Sequence, residues 1–187
     1  MIKLMKNKIR AGAILLLLAT TSAWADHHGT NDHGMKYDKP VLYRAHELSL
    51  DLFGSGSVGR YTLKHLSGRR VRENGELGAG LGLNYFFTRY IGIGGDLYSE
   101  NRTGALVDSA SGNVIGRFPI GESGLAPYAF AGGGYQFDGL EVAFGQFGGG
   151  LEFRFTPHIG VFADARLVYP EETKYYGLAR LGLRFAF

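Results

Sequence analysis

The chain contains no cysteine. That excludes disulfides, a thiol nucleophile and any cysteine-ligated zinc or iron–sulfur centre. Long apolar runs are equally scarce. Past the first 25 residues nothing approaches the roughly 18 apolar residues of a spanning helix. The leader lacks acids: Lys3, Lys6, Lys8 and Arg10 stand in it alone. What is abundant is glycine, 30 in 187 residues, with aromatics at 13%. The glycines show no collagen period, and 45% hydrophobic residues argue against disorder. The length suits one domain with a real core.

Residues 1–25 read as a secretory signal peptide. A basic start is followed by an apolar stretch with the run Leu15, Leu16, Leu17, Leu18, and then by Ala23-Trp24-Ala25, a small-x-small cleavage pattern. The stretch is shorter than the roughly 20 residues needed to span a bilayer. The formal charge of +3 comes from 20 basic and 17 acidic residues. Four of the basic ones leave with the leader, so the processed chain carries one more acid than base. Its composition gives no argument for nucleic-acid binding. Residues 26–42 read as a polar, flexible periplasmic tail.

From about residue 43 onward, segments of about ten residues alternate apolar and polar positions. Eight strands are expected near 45–54, 75–88, 90–100, 112–120, 126–138, 141–155, 158–169 and 174–187. Thr88-Arg89 and Thr156-Pro157 are tight connectors, whereas 55–74 and 101–111 are longer and polar. Parity is the main signal, because successive strand side chains point to opposite faces. In the last strand Leu181, Leu183, Phe185 and Phe187 share one face, with Arg180 and Arg184 on the other. Ile159, Val161 and Leu167 oppose Phe162, Asp164 and Arg166. Phe147, Leu151 and Phe153 oppose Gln146, Glu152 and Arg154. Leu77, Leu81 and Leu83 oppose Glu76, Gly78, Gly80, Gly82 and Asn84. Ile91, Ile93 and Leu97 oppose Asp96 and Tyr98, and Leu48, Leu50 and Leu52 oppose Glu47, Ser49 and Asp51. Gly132, Gly133 and Gly134 blur the phase of the fourth and fifth strands.

Alternation fits two barrels of opposite sense. A soluble, lipocalin-like periplasmic carrier turns its apolar face inward around a ligand; a membrane barrel turns it out. The polar face is rich in glycine, as a narrow eight-stranded lumen requires. Aromatics gather at strand ends (Tyr85, Phe86, Phe87; Phe153, Phe155; Phe185, Phe187), as girdles at membrane interfaces do. Within a membrane, Arg154, Arg166, Arg180 and Arg184 facing lipid would cost about 2–4 kcal/mol each, together comparable to a domain's net stability of roughly 5–15 kcal/mol. They are therefore expected in the lumen, in a charge network with Glu47, Asp51, Asp96, Glu152 and Asp164 that plugs the bore. The expected fold class is all-β, an eight-stranded antiparallel transmembrane β-barrel over residues 43–187.

The leader, the eight amphipathic strands, the second strand's Gly78-Ala79-Gly80-Leu81-Gly82-Leu83, Tyr85-Phe86-Phe87 and the terminal Leu183-Arg184-Phe185-Ala186-Phe187 resemble the small outer-membrane β-barrels of Gram-negative bacteria. That group includes the barrel domain of outer membrane protein A, outer membrane protein X and the opacity-type proteins. The resemblance implies integral outer-membrane residence among lipid and lipopolysaccharide. It implies an assembly signal at Phe185 and Phe187 read by the barrel assembly machinery, with periplasmic chaperones on the way. It implies that the amino-terminal tail, the tight turns and Phe187 lie in the periplasm and the longer loops outside, with no peptidoglycan-binding domain following.

Chemistry-bearing residues are few. Arg60, Lys64, Arg69, Arg70 and Arg72 face only Glu73 across the first long connector, a basic patch suited to lipopolysaccharide phosphates or an acidic host surface, or simply a solvated loop. His27, His28 and His33 lie in the tail, where imidazoles without order make no specific metal site; His158 sits at a tight turn. His65 and Ser67 are the cheapest candidates for a lipid A-modifying enzyme, the second functional alternative. Their surroundings do not resemble a catalytic strand, and no Gly-x-Ser-x-Gly elbow is present. No catalytic residue, metal or cofactor is expected. The preferred reading is non-enzymatic: envelope integrity, or surface-loop contact in adhesion or with a host ligand.

Overall fold

Ten-residue alternating segments cannot bury an apolar stripe one by one, and a strand left at a sheet edge exposes unpaired backbone groups. Closing the sheet solves the second problem, and this chain closes it. The computed structural model describes residues 41–58, 61–65, 68–72, 76–99, 107–137, 141–171 and 175–187; for 58, 61–65, 68–72 and 76 only the backbone is described. The leader, residues 26–40 with their histidines, Arg60, Ser67 and Glu73 lie outside the described residues.

Eight strands form the barrel: β1 (Glu47–Val58), β4 (Glu76–Phe86), β5 (Ile91–Ser99), β6 (Ser109–Arg117), β7 (Leu125–Gln136), β8 (Val142–Arg154), β9 (Ile159–Pro170) and β10 (Tyr176–Ala186). The ring runs β1-β10-β9-β8-β7-β6-β5-β4, each strand antiparallel to its neighbours. The last seam joins β1 to β10, with Leu52 opposite Leu183 and Asp51 opposite Arg184. It is finished by Phe187 N–H donating to the Leu48 carbonyl at 2.8 Å.

Three differences from the sequence reading concern where strands lie. β1 continues through Gly54-Ser55-Gly56-Ser57 to Val58, where a loop was expected. Small residues weaken a strand signal, but pairing to both β4 and β10 supplies the order. Within the expected loop 55–74, β2 (Tyr61–His65) and β3 (Gly68–Arg72) pair as a separate hairpin. β6 begins at Ser109, three residues before the expected start, because Ser-Ala-Ser-Gly carries no hydrophobic alternation.

One end of the barrel is made of tight turns. Thr88 Oγ1 accepts from the backbone N–H of Tyr90 and Ile91 at 3.2 and 3.0 Å. Thr156 Oγ1 does the same for His158 and Ile159, at the same distances. A threonine hydroxyl standing in for a backbone acceptor is what fixes both turns. In the 118–124 turn, Gly124 (φ +75°) admits no Cβ, which would lie 2.5 Å from the Arg154 carbonyl oxygen.

The faces are inverted relative to a water-soluble barrel. Leu77, Leu81, Ile93, Leu97, Phe147, Leu151 and Leu181 are exposed on the outside, Leu181 by 68%. The charged and aromatic residues of the opposite phase are buried in the lumen. The soluble-carrier orientation, with Leu181 and Leu183 at the centre, is not the one adopted. Glycines on the inward face make room for large neighbours: a Cβ on Gly80 would lie 2.5 Å from Phe53 Cζ. Phe86, grouped with the aromatic girdle by sequence, faces inward and is fully buried. It has the parity of Asn84, whereas Tyr85 and Phe87 point out and meet edge-on at 5.2 Å.

Candidate functional site

The strand phases place all nine charged residues of the expected network inside the barrel, each less than a tenth exposed. The structure adds a tenth, Arg117, which is 0% exposed at the end of β6. Five arginines and five carboxylates thus line the lumen among the described strand side chains, and they sort into two layers that are each neutral.

The layer nearer the tight turns holds Glu47, Asp51, Glu152, Arg117, Arg154 and Arg184. Arg154 grips Glu47 through both terminal nitrogens, at 3.0 and 2.6 Å. Its Nε donates to Glu152 at 2.6 Å, and Nη1 reaches the backbone carbonyls of Leu42 and Pro157. Arg117 donates to Glu47 at 2.8 Å and to the Arg89 carbonyl at 3.3 Å. Arg184 holds Asp51 bidentately at 2.7 and 2.6 Å and donates its third arm to Glu152. Asn84 supplies Asp51 with one more donor at 2.9 Å.

The mid-barrel layer holds Asp96, Asp164, Arg166 and Arg180. Arg180 bridges Asp96 (2.8 Å) and Asp164 (2.6 Å). Arg166 donates through one nitrogen, to Asp96 at 3.2 Å and Gln146 at 3.1 Å. The Tyr128 hydroxyl donates to Asp164 at 2.8 Å, and its ring lies 5.7 Å from the Arg184 guanidinium, so Tyr128 links the layers. Beyond this layer, towards the longer connections, Phe144, Val168, Tyr176 and Leu178 are buried, and so is Asp108 just before β6, whose carboxylate accepts from the Ser99 hydroxyl at 3.4 Å.

Charge pairing inside a narrow bore is tolerated only when each group is matched and hydrogen-bonded. Aromatic faces help satisfy the cations. Arg117 lies 3.7 Å from the Phe86 ring centre, Arg180 4.6 Å from Phe53, Arg166 4.8 Å from Phe130 and Arg184 5.0 Å from Phe162. No run of residues announces these pairs. Arg117 was missed because Val114 faces out and Ile115 faces in on the same strand, which erases the alternation.

The remaining sequence candidates are dispersed. Lys64, Arg69, Arg70 and Arg72 fall on the β2–β3 hairpin, whose register sets Lys64 opposite Arg69, Leu63 opposite Arg70 and Tyr61 opposite Arg72. His65 ends β2. His158 Nδ1 pairs with the Ala186 carbonyl at 2.8 Å, tying a tight turn to the last strand. Phe187 is 72% exposed on the outer face and Phe185 is half-buried. Among the described residues no cluster of histidine, aspartate and glutamate is arranged to hold a metal.

No protein-family model matches the sequence, and no curated protein matches it. Solved structures do match the fold. The N-terminal β-barrel domain of Pseudomonas aeruginosa OprF aligns with TM-score 0.60 at 20% identity, over 77% of this chain and 99% of that one. Ail of Yersinia pestis, in complex with the heparin analogue sucrose octasulfate, aligns with TM-score 0.52 at 16% identity, over 76% and 99%. Neisserial surface protein A aligns with TM-score 0.51 at 14% identity, over 75% and 97%. In architecture, then, this chain is an eight-stranded antiparallel transmembrane β-barrel of the kind found among the small outer-membrane proteins.

Proposed function

We propose that this protein is a non-enzymatic integral outer-membrane barrel whose lumen is plugged and whose activity resides in the segments at its longer-connection end. The observation that carries the reading is the pair of neutral ionic layers. Ten charged side chains cross-linked from β1, β5, β6, β8, β9 and β10 fill the bore and leave it no transport role. The exposed apolar belt suits hydrocarbon, and the leader suits export across the inner membrane to reach it. Phe187 and Phe185 then serve as the assembly signal.

The β2–β3 hairpin supplies the contact. Four of its ten residues are lysine or arginine, with Arg60 just before it. Guanidinium groups pair bidentately with phosphate and sulfate, so the partner class is a polyanion: lipopolysaccharide phosphates or a sulfated host glycan. The sulfated ligand held by the Ail barrel supports this assignment. The test is binding of the vesicle-reconstituted protein to lipopolysaccharide and to heparin. Wild type should bind both, more weakly as salt rises. The triple variant Arg69→Ala, Arg70→Ala, Arg72→Ala should lose most of that binding. Unchanged binding overturns the polyanion assignment, and sustained ion current through the wild-type protein overturns the plug.

A further inference from the structure

Residues 41–46 precede β1 and do not lie along the barrel wall. In the ring of eight strands, β1 and β7 are diametrically opposed. Tyr43, four residues before β1, donates its hydroxyl to the carbonyl of Gly124, the residue immediately before β7, at 2.6 Å. The segment therefore crosses the whole mouth at the tight-turn end.

Its landing place is built for it. The Tyr43 ring is only 6% exposed and lies 4.7 Å from the Arg117 guanidinium and 4.8 Å from that of Arg154. An aromatic ring close to two partly desolvated guanidiniums is a favourable contact. Arg154 also donates to the Leu42 carbonyl at 3.0 Å, and the Arg44 N–H donates to Glu47 at 3.3 Å. A Cβ at Gly124 would make only an ordinary contact with Leu42 Cδ1, at 3.5 Å, so the strap packs against this turn at van der Waals distance. Burial raises the Tyr43 phenol well above its ordinary pKa, so it stays a neutral donor.

We propose that residues 41–46 are a strap that closes the tight-turn mouth of the lumen, with Tyr43 as its stopper. The inference rests on the plugged-lumen reading and adds which residues shut which end. The strap keeps water from the Glu47–Arg117–Arg154 layer, and the mid-barrel layer remains a second barrier behind it.

The absence of native cysteine permits a direct test. Ser49 faces the lumen just above the lower mouth and is fully buried; Ser57 faces it near the opposite end and is also buried. Ser49→Cys and Ser57→Cys are made separately in the full chain and folded in detergent, and their reaction with a small water-soluble thiol reagent is timed. Replacing Tyr43 by Ala should speed reaction at position 49 about tenfold, the ratio given by about 1.4 kcal/mol of lost strap stabilisation, and leave position 57 unchanged. Tyr43→Phe keeps the ring beside its two cations and loses only the hydroxyl's bonds to the Gly124 and Glu152 carbonyls. It should give a smaller acceleration confined to position 49, and it carries the test if Tyr43→Ala does not fold. Equal rates with and without Tyr43 overturn the strap, as does equal acceleration at both positions. A wild-type protein closed to ions whose position 49 ignores Tyr43 refutes the strap alone; sustained wild-type conductance refutes the plug.

Discussion

The two ionic layers of the lumen hold the same kinds of groups, yet they draw their hydrogen-bond acceptors from different places. In the lower layer, Arg154 and Arg184 use every donor nitrogen on a carboxylate or a backbone carbonyl. In the middle layer Arg180 is comparably held, but Nε and Nη2 of Arg166 find no hydrogen-bond acceptor in the protein. Arg166 Nη2 stands 3.8 Å from Asp164. The lower layer lies where turns and strap bring extra carbonyls inward; the middle layer has only strand side chains to draw on. Even so, Arg117 Nη2 in the lower layer, like Nε and Nη2 of Arg166 in the middle one, is buried without a hydrogen-bond acceptor in the protein, so each layer holds one arginine that is matched in charge but not in every hydrogen bond.

The largest test of this difference is Arg184→Ala. It leaves Asp51, essentially unexposed, with no cation and only Asn84 as a donor, and Glu152 with Arg154 as its one bonded cation, and should cost about 3–5 kcal/mol, as breaking a buried pair does. Urea unfolding, read by the mobility difference between unheated and heated samples in a gel, measures it. A loss below that of Arg166 variants would break the comparison. Next comes Gly82→Ala. A Cβ there would lie 2.8 Å from Asp96 Oδ1 and 3.2 Å from Asp51 Cβ, so it wedges between one carboxylate of each layer. Overpacking of this kind costs about 1–3 kcal/mol, and a double-mutant cycle with Arg184→Ala should show coupling.

Arg166→Met should cost less, about 1 kcal/mol, since Asp96 keeps Arg180 and the unpaired guanidinium nitrogens leave with the charge. A penalty equal to that of Arg184→Ala would show that Arg166 is fully satisfied after all. The smallest effect belongs outside the lumen. A Cβ on Gly145 would meet nothing within 4 Å, so Gly145→Ala should stay within about 0.5 kcal/mol in the same unfolding assay.

Legibility followed the strength of the alternation. Strands such as Ile159–Pro170 and Tyr176–Ala186 carry apolar residues at alternate positions (Ile159, Val161, Ala163, Ala165 and Leu167; Leu181, Leu183 and Phe185), and their inward charged residues could be named from parity. β6 mixes small and branched residues on both faces, so Arg117 stayed hidden. Tyr43 was invisible for a different reason: a six-residue strap has no period, and its role depends on a carbonyl 81 positions away. The extension of β1 through Gly54-Ser55-Gly56-Ser57 likewise comes from its neighbours, not from its own propensity.

What the amino-acid order determined alone was the sense of the barrel, greasy face out and ionic face in. The two faces are a local, period-two property repeated in most strands; the glycine-rich polar face, the aromatic strand ends and the arginines that the reverse would put in lipid chose which face turns inward. What only the tertiary structure decided was the pairing. Arg184 meets an aspartate 133 positions away and Arg154 a glutamate 107 away. Which cation faces which carboxylate is set by strand order and register around the closed ring, quantities that no single strand encodes.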